Sequence, residues 1–418
     1  MFVNYFDDKR VTEIALNKKL KALTSYREKI TKAIQENDAT VPEHSLYHSK
    51  DFTLHEAIAQ AKKKFKLVDH VVLIGIGGSS LGTEAVHAIL NQGKAKLTVL
   101  DTVSAYKLDL LIKELLAQKS LKKVAFCVVS KSGTTTETLA NSAALLETLQ
   151  KKFGDAVYEQ TIFIGNPDTS LMQYGHKRGV PTLAMPEIIG GRYSVATVVG
   201  LVPLALLGHD TDDFIAGYLD ANQPNYEAVT AENAVRLALY HELKYPHYNF
   251  FAFESRLEKL GHWYRQLFAE SLGKETDQSG KAVKNVMVPT ISTPTELHSV
   301  GQLYLSGTVN HFTDFVTFDD EVVDIKLSNK NKLASSLVGL TLQEVATALY
   351  GGVMAAYQER QLPYRTTIFE EALPYSVGLF MGMRLREVMY IAHLLKVNAF
   401  NQPNVEIYKT KTKEILGL

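Results

Sequence analysis

The 418-residue sequence contains a single cysteine, Cys127, which excludes an intrachain disulfide and fits a reducing compartment. It lies in the middle of an apolar run, where a thiol acts as a small buried hydrophobe rather than a reactive group. Charge of one sign is also lacking. Lys plus Arg and Asp plus Glu both number 45, so no net field favours a nucleic acid or an acidic membrane as partner, and any anion site must be built locally. The longest apolar stretch near the middle, residues 194–208, is shorter than a bilayer requires and contains Pro203, so it reads as a core helix. The opening MFVNYFDDKR has no basic start followed by an apolar core; no targeting is indicated, and the cytoplasm is the expected location. The 13 histidines show neither HxH nor HExxH spacing, so no metal centre is expected, and HELKYPHY (241–248) reads as a helix end with its following loop.

What is present is a repeated alternation. Five apolar runs recur between residues 67 and 185: HVVLIG, KLTVLD, KVAFCVV, VYEQTIFIG and VPTLAM, separated by amphipathic helical segments. Continuous rather than alternating hydrophobicity marks strands covered on both faces, and strand–helix alternation predicts a doubly wound parallel sheet. From about residue 248 the pattern returns in YNFFAF, NVMVP, HFTDFVTF and YRTTIFEE. The fold class is α/β, with two doubly wound, flavodoxin-like parallel-sheet domains. The expected divisions are a helical N-terminal arm over 1–45, a first domain over 46–208, a second over 209–397 and a C-terminal helical tail over 398–418. In that tail Asn401 is the expected helix cap, with Pro403 in the first turn.

Two loops carry chemistry. GIGGSSLG (75–82) follows the first strand, and its small residues, Gly78 and Ser79 among them, let backbone amides approach an anion where a helix begins. SKSGTTTE (130–137) follows the third strand and adds Ser130, Ser132 and Thr135 as hydroxyl donors, with Lys131 beside them. A Ser/Thr-rich helix cap and a dinucleotide fingerprint are the alternatives for these segments. The fingerprint places its third glycine slot on Ser80, with Asp101 available as a ribose ligand. In a sheet of order 2-1-3-4-5 both loops stand at the topological switch point, where they would close on one small anion.

With these loops, EIIGGRYSVATVVGL (187–201) and FNQPNVEIYK (400–409), joined by RQLFAESLGK (265–274) and TPTELHSVGQ (293–302), make the chain resemble the glucose-6-phosphate isomerase family in its compact bacterial form. The resemblance implies sugar isomerase domains, and reversible aldose–ketose isomerisation of glucose 6-phosphate and fructose 6-phosphate in glycolysis, through a cis-enediol and without metal or organic cofactor. Glu270 would be the base that relays the proton between C2 and C1, and Arg192 would face the reacting carbons and stabilise the enediolate. His298 and Lys409 would open the ring, Gln266 would share the pocket of Glu270 from one helical turn away, and Glu137 would orient His298. In the family this histidine reaches the site from the neighbouring subunit, so a homodimer with shared sites is implied. The sequence departs from the family pattern at Asn404, where Gly or Ala is usual. A broader sugar-phosphate isomerase, including one acting on mannose or amino-sugar phosphates, a non-catalytic sugar-phosphate sensor and a nicotinamide dehydrogenase remain the alternatives.

Overall fold

The apolar runs become the strands of two separate sheets in the computed structural model, which describes residues 1–6, 9–91, 93–284, 286–319, 325–328, 333 and 335–417. Among the described residues there are ten strands: β1 (Phe2–Tyr5), β2 (His70–Ile74), β3 (Lys96–Leu100), β4 (Val124–Val129), β5 (Thr161–Gly165), β6 (Thr182–Ala184), β7 (His247–Ala252), β8 (Val288–Ser292), β9 (His311–Phe318) and β10 (Tyr364–Phe369). The first sheet has the order β3-β2-β4-β5-β6, all parallel, which is the expected 2-1-3-4-5 winding. Every residue of β2, β4 and β5 is buried, because helices cover both faces. This two-sided cover is why those strands read as unbroken apolar runs.

The second sheet has the order β1-β10-β9-β7-β8. Its parallel part repeats the same winding, with β8, β7, β9 and β10 in the places of strands 2, 1, 3 and 4. The edge beside β10 is closed by β1, antiparallel, with Phe2 opposite Ile368 and Tyr5 opposite Arg365. The expected helical N-terminal arm differs in one respect: a strand comes first, and the Glu13–Glu36 helix follows. Pairing with the exposed edge of β10 outweighs the helical bias of the charged residues further on. Two other boundaries shift. The first half of VYEQTIFIG is a helical turn, Ala156–Glu159, and the NVMVP strand begins only at Val288, with Asn285 outside the described residues.

The core of the second sheet contains a charge-balanced group that the sequence did not disclose. Arg365 and Arg384 each bridge Asp314 and Glu387, at 2.6 to 2.9 Å, with all four side chains buried. Tyr248 donates to Asp314 Oδ2 at 2.7 Å, and Tyr264 donates to Glu387 Oε1 at 2.6 Å. Buried charges require such pairing, which here leaves Nε of Arg365 without a partner among the described residues. Through Tyr264 the group fixes the Glu258–Leu272 helix, which packs on the Leu81–Leu90 helix and on the Gly77–Ser79 and Gly191–Tyr193 turns of the first sheet's half. One helix of the second half thus stands over the switch point of the first. No helix among the described residues is long and apolar enough to cross a membrane.

Candidate functional site

The site begins where β2 and β4 end side by side. Gly75 follows β2 so closely against the end of β4 that a Cβ there would lie 3.1 Å from the Val129 carbonyl oxygen. Gly77 has φ of +62°, a left-handed conformation that glycine adopts without strain, and a Cβ there would lie 2.7 Å from Gln266 Nε2. At Gly78 a Cβ would lie 2.2 Å from the backbone carbon of Gly191, so only glycine lets the two turns meet. The close approach brings the turn carrying Arg192 against the first loop.

In the second loop, Ser130 and Thr135 hydroxyls pair at 2.9 Å. Ser132 Oγ accepts from the Thr134 amide at 3.2 Å and the Thr134 hydroxyl at 3.1 Å. Thr135 precedes the Thr136–Phe153 helix and makes no side-chain cap. Lys131 is turned away from these hydroxyls: its Nζ donates to the carbonyls of Glu187 at 2.7 Å and Ile189 at 2.9 Å, and burial lowers its pKa against the pull of Glu187. It thereby holds the approach to the Gly-Gly-Arg turn. Ser80 Oγ, Thr138 Oγ1 and Gln266 Oε1 are buried without a hydrogen-bond partner among the described residues.

Glu270, Arg192 and Gln266 converge. Arg192 Nη1 lies 3.2 Å from Glu270 Oε2, and Gln266 Nε2 donates to Glu270 Oε1 at 3.1 Å, as expected for residues one turn apart. Arg192 is only 3% exposed, whereas a third of the Glu270 side chain faces solvent. The remaining guanidinium donors are taken as well: Nε by Ser271 Oγ at 2.8 Å, Nη1 also by Gln402 Oε1 at 2.8 Å, and Nη2 by the carbonyls of Ala399 and, at 3.2 Å, Asn401. The Tyr193 hydroxyl pairs with the same Ser271 hydroxyl at 2.7 Å, and burial raises the Tyr193 pKa. Lys274, one turn beyond Glu270, donates to the Glu270 carbonyl and to the Asn401 carbonyl. Its pKa falls to about 8 through burial and the neighbouring Arg192, opposed by Glu270. Beside Glu270 a cleft of about 430 Å³ opens between Lys274 and the segment Gln402–Val405.

Among the described residues, the other expected site residues make no hydrogen bond or ion pair with Glu270. His298 ends the Pro294–His298 turn after β8, is exposed, and makes no hydrogen bond or ion pair among the described residues. Glu137 lies in the first turn of the Thr136–Phe153 helix, without a contact to His298. Lys409 is half exposed, and its Nζ pairs with Glu406 Oε1 at 2.7 Å. The helix that carries it is Val405–Leu416, with no buried residue. The expected cap at Asn401 is corrected: Asn404 occupies the cap position, with helical φ of −71° and no capping bond, and Pro403 precedes the helix. The physical reason is that Arg192 and Lys274 both hold the Asn401 carbonyl, which delays the helix start.

Ser271, Tyr193, Gln402 and Lys274 were not singled out from the sequence. All four lie in the runs quoted above, as neighbours of Arg192, Glu270 and Asn404, and only their shared contacts distinguish them.

The family model described as "Phosphoglucose isomerase" matches residues 3–417. A glucose-6-phosphate isomerase of Thermus thermophilus is 32% identical over 357 residues, 84% of each chain. Another, of Carboxydothermus hydrogenoformans, is 31% identical over 385 residues, 87% of this chain and 82% of its own. Among solved structures, a hypothetical protein from Thermus thermophilus superposes with a TM-score of 0.87 at 28% identity, covering 99% of this chain and 100% of that one. The fold is also that of a glucose-6-phosphate isomerase from Chlamydia trachomatis, with a TM-score of 0.81 at 18% identity over 99% of this chain and 88% of the other. A family match that runs through both sheets and the C-terminal helix places this chain in the phosphoglucose isomerase family.

Proposed function

We propose that the protein interconverts glucose 6-phosphate and fructose 6-phosphate by moving a proton between C2 and C1 of the open-chain sugar. Family membership supports the reading, and one observation carries it: a partly exposed carboxylate, Glu270, stands between a fully engaged guanidinium and the Gln266 amide, which itself lies against the glycine turn that follows β2. A base for aldose–ketose isomerisation needs access to the substrate and a fixed direction, and both are present. The unpartnered Gln266 Oε1 offers an acceptor for a sugar hydroxyl at the same point.

In this reading residues 46–208 supply the phosphate cradle, through the amides of Gly78 and Ser79 and the hydroxyls of Ser130, Ser132 and Thr135, with Lys131 fixing the loop. Residues 209–397 supply Glu270, and Arg192 holds its carboxylate and the negative charge that develops on the enediolate oxygen. His298 and Lys409 act on the ring oxygen and O1 during ring opening. A homodimer in which His298, oriented by Glu137, enters from the partner subunit completes the site in this reading. The cytoplasm, where the sugar phosphates are made and used, is the proposed location.

The test is to incubate the purified protein with fructose 6-phosphate, without added nucleotide or metal, and to identify the product. Glucose 6-phosphate supports the reading. Substrate that binds but is returned unchanged points to a sensor instead.

A further inference from the structure

The C-terminal helix Val405–Leu416 has no fully buried residue and only Val405 half-buried, so its own packing does little to set where Lys409 stands. Its position is inherited from the irregular stretch 397–404 that precedes it. Two cations grip that stretch. Arg192 binds the carbonyls of Ala399 and Asn401 and the amide oxygen of Gln402. Lys274 binds the Asn401 carbonyl at 2.5 Å from the other side, while the same ammonium caps the carbonyl of Glu270. The Glu270 carbonyl belongs to the last turn of the Glu258–Leu272 helix, where carbonyls lack intrahelical partners and a cation is favoured. One side chain therefore ties the end of the helix that carries the base to the segment that forms the opposite wall of the cleft.

We propose that Lys274 is a positioning residue: its ammonium staples residues 398–404 to the Glu270 helix and so sets the distance across the cleft from Glu270 to Gln402 and the C-terminal helix. The inference rests on the isomerase reading for its effect on turnover, and on geometry alone for the staple. Three donors on Lys can satisfy both carbonyls at once. A methionine of similar length keeps the packing of the stem and loses both bonds. A misplacement of one wall of the site lowers turnover more than ground-state binding, because geometry counts most in the transition state.

The experiment compares wild type, Lys274→Met and Lys274→Arg by steady-state kinetics on fructose 6-phosphate and by amide hydrogen exchange over residues 398–416. For Lys274→Met the expected results are a fall in kcat on the order of 10- to 100-fold with KM changed less than about threefold, and at least about tenfold faster exchange across 398–404. The thermal midpoint should stay close to that of wild type. Lys274→Arg, which retains the charge and several donors, should recover most of both. Unchanged kcat or unchanged exchange in Lys274→Met overturns the proposal, as does a fall in kcat that only tracks loss of fold. Wild type without isomerase activity refutes the functional reading instead, and the exchange measurement still decides whether the staple exists.

Discussion

Arg192 Nη1 meets Glu270 Oε2 at 3.2 Å and shares itself with Gln402, while the other two guanidinium nitrogens are committed to Ser271 and to the backbone carbonyls of Ala399 and Asn401. The arginine therefore cannot rotate to follow a substrate. It is a fixed charge, and a fixed charge beside developing negative charge costs no reorganisation during reaction.

For Arg192→Lys the expected outcome is failure to rescue. An ammonium cannot reproduce the fork that holds Ser271, Gln402 and Ala399 together. Turnover should fall by a factor that corresponds to about 2–4 kcal/mol, with KM changing much less. Steady-state kinetics on fructose 6-phosphate check this. Near-normal turnover in the lysine variant would show that only the charge matters.

At Gly78 the limit is steric. A Cβ would lie 2.2 Å from the Gly191 backbone, which cannot yield as a flexible side chain would. Gly78→Ala should push the turn carrying Arg192 away, at a cost of about 1–3 kcal/mol in stability and with a parallel loss of activity. Chemical denaturation and a rate measurement on the same preparation test the link. Full activity with full stability would mean that the two turns separate freely.

Much of this arrangement was legible in the chain. The buried strands announced themselves because cover on both faces demands unbroken apolar runs, and Gln266 four residues before Glu270 announced a shared helical face. The loops showed their glycines. What was not legible depended on partners distant in sequence. β1 is a strand only because β10 offers an edge more than 350 residues away. Lys131 looks like a phosphate ligand beside its serines, yet spends its donors on the carbonyls of Glu187 and Ile189. Nothing local marks Lys274 or Ser271, and the helix start at Val405 is shifted by contacts to Asn401 that no cap rule contains.

Acid should destabilise the protein well above the carboxylate range. Burial lowers the pKa of His48 to about 4 and of His209 to about 3, from an ordinary value of 6.5. Each is neutral in the fold, while the unfolded chain takes up protons below pH 6.5. Their stabilising contribution is complete above that pH and is lost as pH falls toward 4 and 3. The shift of His48 corresponds to at most about 3 kcal/mol. Thermal midpoints recorded from pH 7 to pH 4 should fall, and His48→Gln should flatten the slope. An equal slope in the variant would assign the acid sensitivity elsewhere.

A shared site predicts complementation. If His298 enters the partner's site, mixing inactive Glu270→Gln and His298→Ala chains through reversible unfolding gives heterodimers with one intact site. About a quarter of wild-type activity should return in an equal random mixture. No recovery would mean that each chain completes its own site.

The most direct test of the central claim is exchange of the substrate's transferable hydrogen with solvent. Wild type in deuterated water should place deuterium at C2 of the glucose 6-phosphate formed, followed by proton magnetic resonance. Glu270→Gln should still bind sugar phosphate, while both exchange and isomerisation disappear. Exchange that persists in the glutamine variant would contradict the assignment of Glu270 as the base.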